Sequence, residues 1–533
     1  MAKPNFILFI TDQQRADYLG CYGHPVLRTP NIDRIAAAGL RFDRFYVATP
    51  ICMPNRSTLM TGRMPSVHGV RHNGINLSLD ANTFVGLLHA QGYRTALIGK
   101  SHLQNFTEVP PDLVRPPLSA GRIAAPADFA EARKPAAPPH RYDRELPANW
   151  LRSPHFELAD PYYGFQQVEL CTRHGDRVGG HYYHWLAERH PNPQSLRGPQ
   201  NALPHDAVCP QAWRTAIPEE LYPTSYVAER SIAALRAHAA VGSTAPFFMQ
   251  VSFPDPHHPF TPPGRYWNMY RPEDMPLPRS FRSADPARQP HVAWLQQQLA
   301  AGKAARNSPS AFAVNEREAR EAMALTCGMI AMIDDAIGRI LDEIKALGLA
   351  EDTVVIFTSD HGDFMADHQL MLKGPLHFQG LTRVPFIWSD PAAKRQAAST
   401  RALAGTLDIA STILERAGLE PYNGIQGRSL LPLVADPEAE GKDAILIEED
   451  GQRISYGFKR PVRCRTLMTE RWRFTIYEGA DWGELYDLEN DPDEIENLWF
   501  DPARAGVRSE LALRLAYAQM SVADRSPLPS AQG

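Results

Sequence analysis

The sequence predicts an α/β protein in which helices flank a large, mostly parallel sheet, followed by a small C-terminal domain with an antiparallel sheet. Short apolar runs without polar alternation recur before about residue 440, which is typical of strands buried on both faces. Amphipathic helical patterns separate these runs, and this alternation favours a parallel sheet. After residue 440 the runs alternate with polar residues, as in an antiparallel sheet with one solvated face.

Four apolar runs are predicted to form the core of the large sheet. They span residues 6–10, 95–98, 247–253 and 354–357. A stripe of apolar residues predicts a helix that begins at Pro30, behind Thr29 as its N-cap, and ends at Gly39. A longer helix stops near Gly348 and leads directly into the last run. Its apolar face carries Ile330, Ile333, Ile337, Ile340, Leu341 and Ile344.

We expect a large α/β domain over residues 1–440 and a small α+β domain over residues 441–533. Residues 104–225 are rich in proline, arginine, histidine and aromatic residues, and their periodicity is weak. We interpret them as a long insertion of loops and short helices, which either shapes a pocket wall or only elaborates the surface. The short runs at 444–447, 465–468 and 473–477 predict the strands of the small domain.

The composition places the chain among ordinary globular proteins. Its 533 residues exceed what one small core needs, and 44% are apolar while 22% are charged. A net charge of −5 gives no reason to expect nucleic acid or an anionic membrane as partner. The six cysteines form no C-x-x-C pair, so neither a zinc knuckle nor a disulfide framework is indicated, and the default for five of them is a packed free thiol.

The N-terminal apolar run is too short for the core of a signal peptide, and acidic Asp12 follows it at once. No stretch approaches the length of a membrane span. We therefore expect a cytoplasmic protein without a membrane partner. The sequence leaves the oligomeric state open, with a homo-oligomer as one option.

Polar, chemically capable residues follow each of the four predicted core strands. Because ligands bind outside the carboxyl ends of the strands in an open parallel sheet, we expect these residues to meet at one rim. They are Asp12 and Gln13, Lys100 and His102, Asp255 and His257, and Asp360 and His361. Four such strand ends favour a metal site combined with acid–base groups.

Four of these residues are candidate metal ligands, namely Asp12, Gln13, Asp360 and His361. Two carboxylates at one rim repel each other, and a divalent cation removes that penalty. Their oxygens suit calcium, magnesium or manganese, while the histidine nitrogen leans towards manganese or zinc. The alternative is that Asp12 and Asp360 only cap helices or turns, and their spacing does not decide between the two.

Cys52 lies where a short helix is predicted to begin. Pro54 suits an early helical position and Gly62 suits a C-terminal stop. The free amides and the dipole of a helix N-terminus favour an anion, and Arg56 follows one turn later. The alternative is a buried structural cysteine beside a surface arginine.

The residues around Cys52 resemble the signature of the type I sulfatases, the formylglycine-dependent family within the alkaline phosphatase superfamily. The resembling segments are Cys52-Met-Pro-Asn-Arg56, Leu59-Met-Thr-Gly-Arg63, Thr11-Asp-Gln-Gln-Arg-Ala-Asp17, Gly99-Lys-Ser-His-Leu103, Pro256-His-His-Pro-Phe260, Thr358-Ser-Asp-His-Gly-Asp363 with Lys373 after it, and Glu484-Leu-Tyr-Asp-Leu-Glu-Asn-Asp-Pro492. Their order and spacing run along nearly the whole chain, which makes the resemblance highly specific.

The resemblance implies hydrolysis of sulfate monoesters, with aryl sulfates as the expected substrates. It implies that a formylglycine-generating enzyme oxidises Cys52 to an aldehyde, whose hydrate attacks sulfur. It also implies one divalent metal, calcium by default and manganese as the alternative. The implied metal ligands are Asp12, Gln13, Asp360, His361 and residue 52, and the implied catalytic residues are Cys52, Arg56, Lys100, His102, His257 and Lys373. Among these, His257 is the candidate general acid and His102 the candidate acceptor of the hydrate's second proton.

Some positions depart from the commonest pattern of the family. Gln13 and His361 stand where many members carry Asp and Asn, and both pairs also occur in bacterial relatives that include phosphonate monoester hydrolases. A phosphonate monoester hydrolase or phosphodiesterase with the same nucleophile is therefore the alternative function, while Lys100 and His102 favour a sulfatase. Asn73 matches a substrate-contacting position of the phosphonate hydrolases, or else is a turn residue before Gly74. A catalytically inactive binding scaffold is the remote alternative.

Overall fold

The structure is a computed structural model that describes residues 3–109, 119–123, 142–153, 158, 161–242, 245–282, 289–393, 397–525 and 531. The predicted fold class is confirmed. A large sheet lies between two layers of helices, and a small antiparallel sheet follows at the C-terminal end. The predicted boundary at residue 440 stays a prediction.

The strands of the described chain belong to one large sheet, two short two-stranded pairings and one small sheet. They are β1 (Asn5–Thr11), β2 (Leu40–Phe42), β3 (Phe45–Tyr46), β4 (Arg94–Lys100), β5 (Gln167–Thr172), β6 (Gly179–Gly180), β7 (Phe247–Ser252), β8 (Phe312–Ala313), β9 (Thr353–Ser359), β10 (Leu370–Met371), β11 (Phe386–Ser389), β12 (Ala398–Thr400), β13 (Ala404–Gly405), β14 (Ala444–Asp450), β15 (Arg463–Thr469), β16 (Trp472–Tyr477) and β17 (Gly483–Asp487). The four predicted core strands are thus confirmed as β1, β4, β7 and β9.

The α-helices of the described residues alternate with these strands in the first part of the chain. They are α1 (Pro30–Ala37), α2 (Cys52–Thr61), α3 (Pro65–His68), α4 (Phe84–Ala90), α5 (Pro147–Arg152), α6 (His181–Arg189), α7 (Pro223–Ala240), α8 (Pro290–Ala300), α9 (Glu316–Ala346), α10 (Gln379–Thr382), α11 (Ile409–Arg416), α12 (Leu431–Ala435) and α13 (Ala505–Ser521). The predicted helices are confirmed as α1, α2 and α9. In the described residues, none of the helices combines the length and the apolar composition needed to cross a membrane.

The large sheet has the strand order β12-β2-β11-β9-β1-β7-β4-β5-β6 within the described residues. Its centre, from β9 to β5, is parallel throughout, so the carboxyl ends of these strands meet at one rim. The side chains of β1 alternate between two cores because both faces of the sheet are covered. Ile7 and Phe9 pack with α7 and α9 on one face, while Phe6 and Leu8 pack with α4 and α11 on the other.

Strand β5 lies inside the segment that the sequence analysis interpreted as loops and short helices. Its first residues are partly exposed and only the last three are buried, which explains why its apolar pattern is weak. Residues 110–118, 124–141, 154–157 and 159–160 of this segment lie outside the described residues. Strand β5 extends the parallel rim by one strand, with Lys100 of β4 paired to Cys171.

The small sheet is antiparallel, with the order β14-β15-β16-β17. One face packs on Leu511 and Leu515 of α13. The other face packs on residues 376–381 of the large domain. Glu484 of the closing sequence motif pairs with fully buried Arg473, with Oε2 2.8 Å from a guanidinium nitrogen, so this part of the motif stabilises the sheet.

Gly99 allows β4 and β7 to approach each other directly before Lys100. Its φ is +110°, and a Cβ added there would lie 1.9 Å from the carbonyl oxygen of Ser252. Gly92 also has a positive φ of +88°, but a Cβ added there would meet nothing within 4 Å. An alanine at Gly92 would therefore suffer only backbone strain, whereas an alanine at Gly99 would suffer both backbone strain and a collision with β7.

We predict that Gly92→Ala lowers the free energy of unfolding by about 1–2 kcal/mol, from the positive φ alone. Gly99→Ala should lower it by a further ~1–3 kcal/mol, because β4 must move away from β7. Chemical denaturation of both variants measures the difference. Equal stabilities would contradict the assignment of Gly99 as the close-contact point of the rim.

Candidate active site

Two carboxylates face each other across the centre of the rim. Strands β1 and β9 are parallel neighbours, and Thr11 is paired with Ser359, so Asp12 and Asp360 follow at the same level. Both residues are fully buried. The Asp360 amide donates to the Thr11 carbonyl at 3.1 Å, which closes the two strand ends together. The parallel register therefore brings the two predicted metal-binding segments into contact.

Cys52 is the first residue of α2 and is buried directly above these carboxylates. Its Sγ lies 2.8 Å from Nζ of Lys373, 3.1 Å from Nε2 of His361 and 3.9 Å from Oδ1 of Asp12. Gly62 ends the helix in the left-handed conformation, as predicted. The structure thus places Cys52 beside three predicted site residues from other parts of the chain.

Asn73 supports the start of α2 from the side. Its Oδ1 accepts the backbone N–H of Met53 at 3.0 Å, which satisfies one of the free amides of the helix N-terminus. Asn55, one residue before Arg56 in the helix, donates from Nδ2 to the Asp360 carbonyl at 2.6 Å. Its Oδ1 accepts from the Ala48 amide and from the Thr406 hydroxyl. Both asparagines therefore have structural contacts that fix α2 against the rim.

Arg56 lies beneath the two carboxylates. Its Nε donates to Oδ2 of Asp360 at 2.7 Å, and a terminal nitrogen lies 3.3 Å from Oδ2 of Asp12. The same side chain donates to the Ser252 hydroxyl at 3.0 Å. Burial lowers the pKa of Arg56, but the charges of Asp360 and Asp12 outweigh it and raise the pKa overall. Arg56 thus compensates the negative charge of the rim.

Lys100 contacts Asp12 from the β4 side. It is fully buried and its ammonium forms an ion pair with Oδ2 of Asp12. Burial raises the pKa of Asp12, but the charges of Lys100 and Arg56 hold it well below its usual range. Asp12 is therefore an ionised carboxylate.

Lys373 is a second buried ammonium at the centre of the cluster. Besides Cys52, its Nζ lies 2.9 Å from Nε2 of His361 and 3.3 Å from Nε2 of His257. Burial alone raises the pKa of the Cys52 thiol, but the charge of Lys373 lowers it below its ordinary value overall. The surroundings of residue 52 therefore favour an anion at that position.

Three imidazole rings stack beside the lysines. His257 stacks on His174 with ring centroids 3.5 Å apart and on His258 with centroids 4.0 Å apart. Burial, followed by the neighbouring rings and lysines, lowers the pKa of His257 well below its ordinary value. The His257 Nδ1 lies within hydrogen-bond distance of the His258 carbonyl, so Nδ1 carries a proton and Nε2 faces Lys373.

His102 lies on the loop after β4, with its ring stacked on Phe106 at a centroid distance of 3.9 Å. Its backbone is held in the left-handed region at a φ of 58°. The buried carboxylate of Glu145 accepts the amides of His102, Leu103 and Gln104 at 2.7–2.9 Å, which stabilises this loop. Burial, followed by the charge of Lys100, lowers the pKa of His102 well below its ordinary value, so the ring is a neutral base.

One divalent cation fits the donor atoms at the centre of the rim. Asp12, Cys52, Asp360 and His361 each offer a ligand atom, and these atoms lie within 4.8 Å of one another. The His361 Nδ1 is hydrogen-bonded to the Gly362 carbonyl at 2.8 Å, which leaves Nε2 for the centre. The Gln13 Nε2 donates to Oδ2 of Asp363 at 2.6 Å, and its buried Oε1 has no partner among the described residues. An oxygen of this kind suits a cation.

A cavity of about 150 Å³ opens beside Lys373 and Ile51. Asn73, Gln452 and Tyr456 line its walls, the last two from the loop between β14 and β15. A larger cavity of about 670 Å³ lies between α13 and the region of Tyr46 and Leu407. The metal-capable cluster does not line the larger cavity, so we place the site by its side chains rather than by cavity size.

Four residues that support or extend this site were not predicted from the sequence, namely Glu145, His174, His258 and Asp363. Two of them lie in the segment 104–225, where no strand was recognised. A signal for His174 did exist, because it follows the apolar end of β5 as Asp12 follows β1. His258 and Asp363 lie inside the quoted motifs, but nothing in their spacing separates them from their neighbours.

Comparisons with known proteins agree with this geometry. A family profile described as "Sulfatase" matches residues 4–116 and 162–419, and one described as "N-sulphoglucosamine sulphohydrolase, C-terminal" matches residues 367–521. The chain is 27% identical to an arylsulfatase of Clostridium perfringens over 93% of this chain and 90% of that protein. It is also 27% identical to the multifunctional alkaline phosphatase superfamily protein PehA of Trinickia caryophylli, over 99% of this chain and 97% of that protein.

Among solved structures, the chain is similar to the phosphonate monoester hydrolase of Agrobacterium radiobacter. The TM-score is 0.76 and the sequence identity 26%, over 98% of this chain and 97% of that chain. The similarity thus spans both sheets.

Proposed function

The chain belongs to the sulfatase family and is a sulfuric ester hydrolase, and we propose that it cleaves aryl sulfate monoesters with formylglycine, formed from Cys52, as the nucleophile. The observation that carries this proposal is the position of Cys52 Sγ, 2.8 Å from the ammonium of Lys373 and 3.1 Å from His361. A group at residue 52 therefore contacts the ammonium of Lys373 and lies at the start of a helix, and both features favour negative charge there.

The Sγ atom marks where the oxygens of formylglycine would lie. When formed, the hydrated aldehyde supplies an oxygen nucleophile and, through its second hydroxyl, a way to expel sulfate without attack by water. A formylglycine-generating enzyme is the partner that this maturation requires. Lys373 orients the group at residue 52, and Lys100 and Lys373 balance the charge of the sulfuryl oxygens. Neutral His102 takes the proton of the second hydroxyl.

We assign the metal to Asp12, Gln13, Asp360, His361 and residue 52, with calcium as the default and manganese as the alternative. A divalent cation bound there supplies charge that lowers the pKa of a neighbouring hydroxyl and offsets the charge of the substrate. The role of Arg56 is to hold Asp12 and Asp360 in place, because its guanidinium pairs with both.

Departure of the alcohol needs a proton when the alcohol is basic. His257 is the proposed general acid, and its Nε2 lies 3.3 Å from Nζ of Lys373. Because Nδ1 already carries a proton, His257 acts as an acid only when Nε2 is protonated as well. The negative charge of a bound ester favours that state.

Hydrolysis of phosphonate monoesters or phosphodiesters is the second candidate function. The similarity to the phosphonate monoester hydrolase of Agrobacterium radiobacter over 98% of this chain favours it. Lys100 and His102 favour sulfate in our assignment. An inactive binding scaffold is disfavoured because Lys100, His257 and Lys373 keep direct contacts with the central cluster.

Removal of one carboxylate tests the metal site. We predict that Asp360→Ala loses the bound cation and activity, because the site loses a charged ligand and Arg56 loses its shortest ion pair. Elemental analysis of purified protein measures metal per chain. Asp335→Ala, at a carboxylate that is 48% exposed, is the matched control and should keep its metal. Full metal content in Asp360→Ala would show that the site lies elsewhere.

The substrate class is tested with sulfates, phosphonates and phosphodiesters that share one leaving group. Sulfates and phosphonate monoesters each carry one negative charge at neutral pH, so charge alone does not separate them. We predict activity on both, with a higher kcat/KM for the aryl sulfate. A clear preference for phosphonate monoesters would reverse the assignment of substrate and leave the nucleophile untouched.

The acid role of His257 is tested by varying the leaving group. We predict that His257→Ala slows the hydrolysis of an ester with a poor leaving group by roughly 10²–10⁴-fold, the usual range for one acid–base group. The same substitution should slow the hydrolysis of a nitrophenyl ester less, because nitrophenolate leaves without a proton. His205→Ala, at an exposed histidine, is the control. An effect independent of leaving-group pKa would transfer the acid role to another residue, with Lys373 the first to test.

A further inference from the structure

His174 contacts two of the proposed functional side chains at once. Its Nε2 lies 2.7 Å from Nζ of Lys100, and its ring is nearly parallel to that of His257, with an angle of 8° between the planes. The side chain is 14% exposed, whereas Lys100 is fully buried. None of the quoted sequence motifs includes this residue.

The direction of the hydrogen bond between His174 and Lys100 is fixed by chemistry. An ammonium group has only N–H donors, so Nε2 of His174 must be the acceptor. The imidazole is therefore the tautomer with its proton on Nδ1. His174 acts towards Lys100 as a neutral acceptor on a separate strand end, that of β5.

The ammonium of Lys100 has three N–H groups. In the described residues, its hydrogen-bond partners are Asp12, at the end of β1, and His174, at the end of β5. With Asp12 alone, the ammonium could rotate about its bond to the side chain. Two acceptors on different strand ends fix that rotation and leave one N–H with a defined direction.

We propose that His174 is a positioning residue that aims the third N–H of Lys100 at a sulfuryl oxygen of the substrate. This inference rests on the proposed function, because it concerns the same site. The stacking of His174 on His257 suggests an alternative role, in which His174 acts through His257 and assists departure of the alcohol. Two substitutions separate these roles.

His174→Phe keeps a flat ring for His257 but removes the acceptor for Lys100. His174→Gln removes the ring but offers a side-chain oxygen as acceptor. If His174 acts through Lys100, His174→Phe should lower kcat/KM for aryl sulfates by roughly 10- to 100-fold, as expected for one hydrogen bond to a charged group. This loss should be the same for good and poor leaving groups. His174→Gln should recover most of it.

A double-mutant cycle with Lys100→Met completes the test, with metal content and thermal unfolding measured for every variant. The double variant should be no slower than Lys100→Met alone, because the function of His174 is already lost. Additive effects, full activity of His174→Phe, or a loss that grows with leaving-group pKa would each overturn the proposal. Cys52→Ala serves as the reference in the same assay. If it remains active, the proposed function itself fails, and that outcome is distinct from any result at His174.

Discussion

The structure depends on two carboxylates buried side by side at the rim of a parallel sheet. Asp12 and Asp360 have no exposed surface, and each buried charge costs several kcal/mol unless it is paired. Arg56 compensates both, and Lys100 compensates Asp12. Cys52 and His361 complete the cluster, and Lys373 contacts both of them. The compensating groups come from different parts of the chain, which requires the strand register and α2 to be placed accurately. The same concentration of charge makes the rim suitable for a cation and an anionic ester.

The four core strands and the start of α2 could be predicted because their signals are local. An unbroken apolar run gives a buried strand, and Pro54 with Gly62 bounds a short helix. The rim followed from topology, since parallel strands place their carboxyl ends together. Strand β5 was missed because its first residues are exposed, and His174 and Glu145 were missed with it. The contact of Arg56 with two carboxylates could not be predicted from the sequence either, because it depends on the distance between separate segments of the chain.

Asn55 and Gln13 each have a structural role beside the central cluster. Asn55 ties α2 to the Asp360 carbonyl, the Ala48 amide and the Thr406 hydroxyl, so it fixes the helix that carries residue 52. Gln13 presents a buried oxygen to the cluster while Asp363 fixes its amide nitrogen. Gln452 and Tyr456 bring the small domain to the wall of the cavity beside Lys373.

The proposed mechanism requires residue 52 to act as formylglycine rather than as cysteine. Mass spectrometry of the peptide that carries residue 52 measures it directly, in preparations made with and without a formylglycine-generating enzyme. If formylglycine is the nucleophile, the converted fraction and the specific activity rise in proportion across these preparations. Full activity in a preparation that contains only unmodified cysteine at position 52 would contradict it.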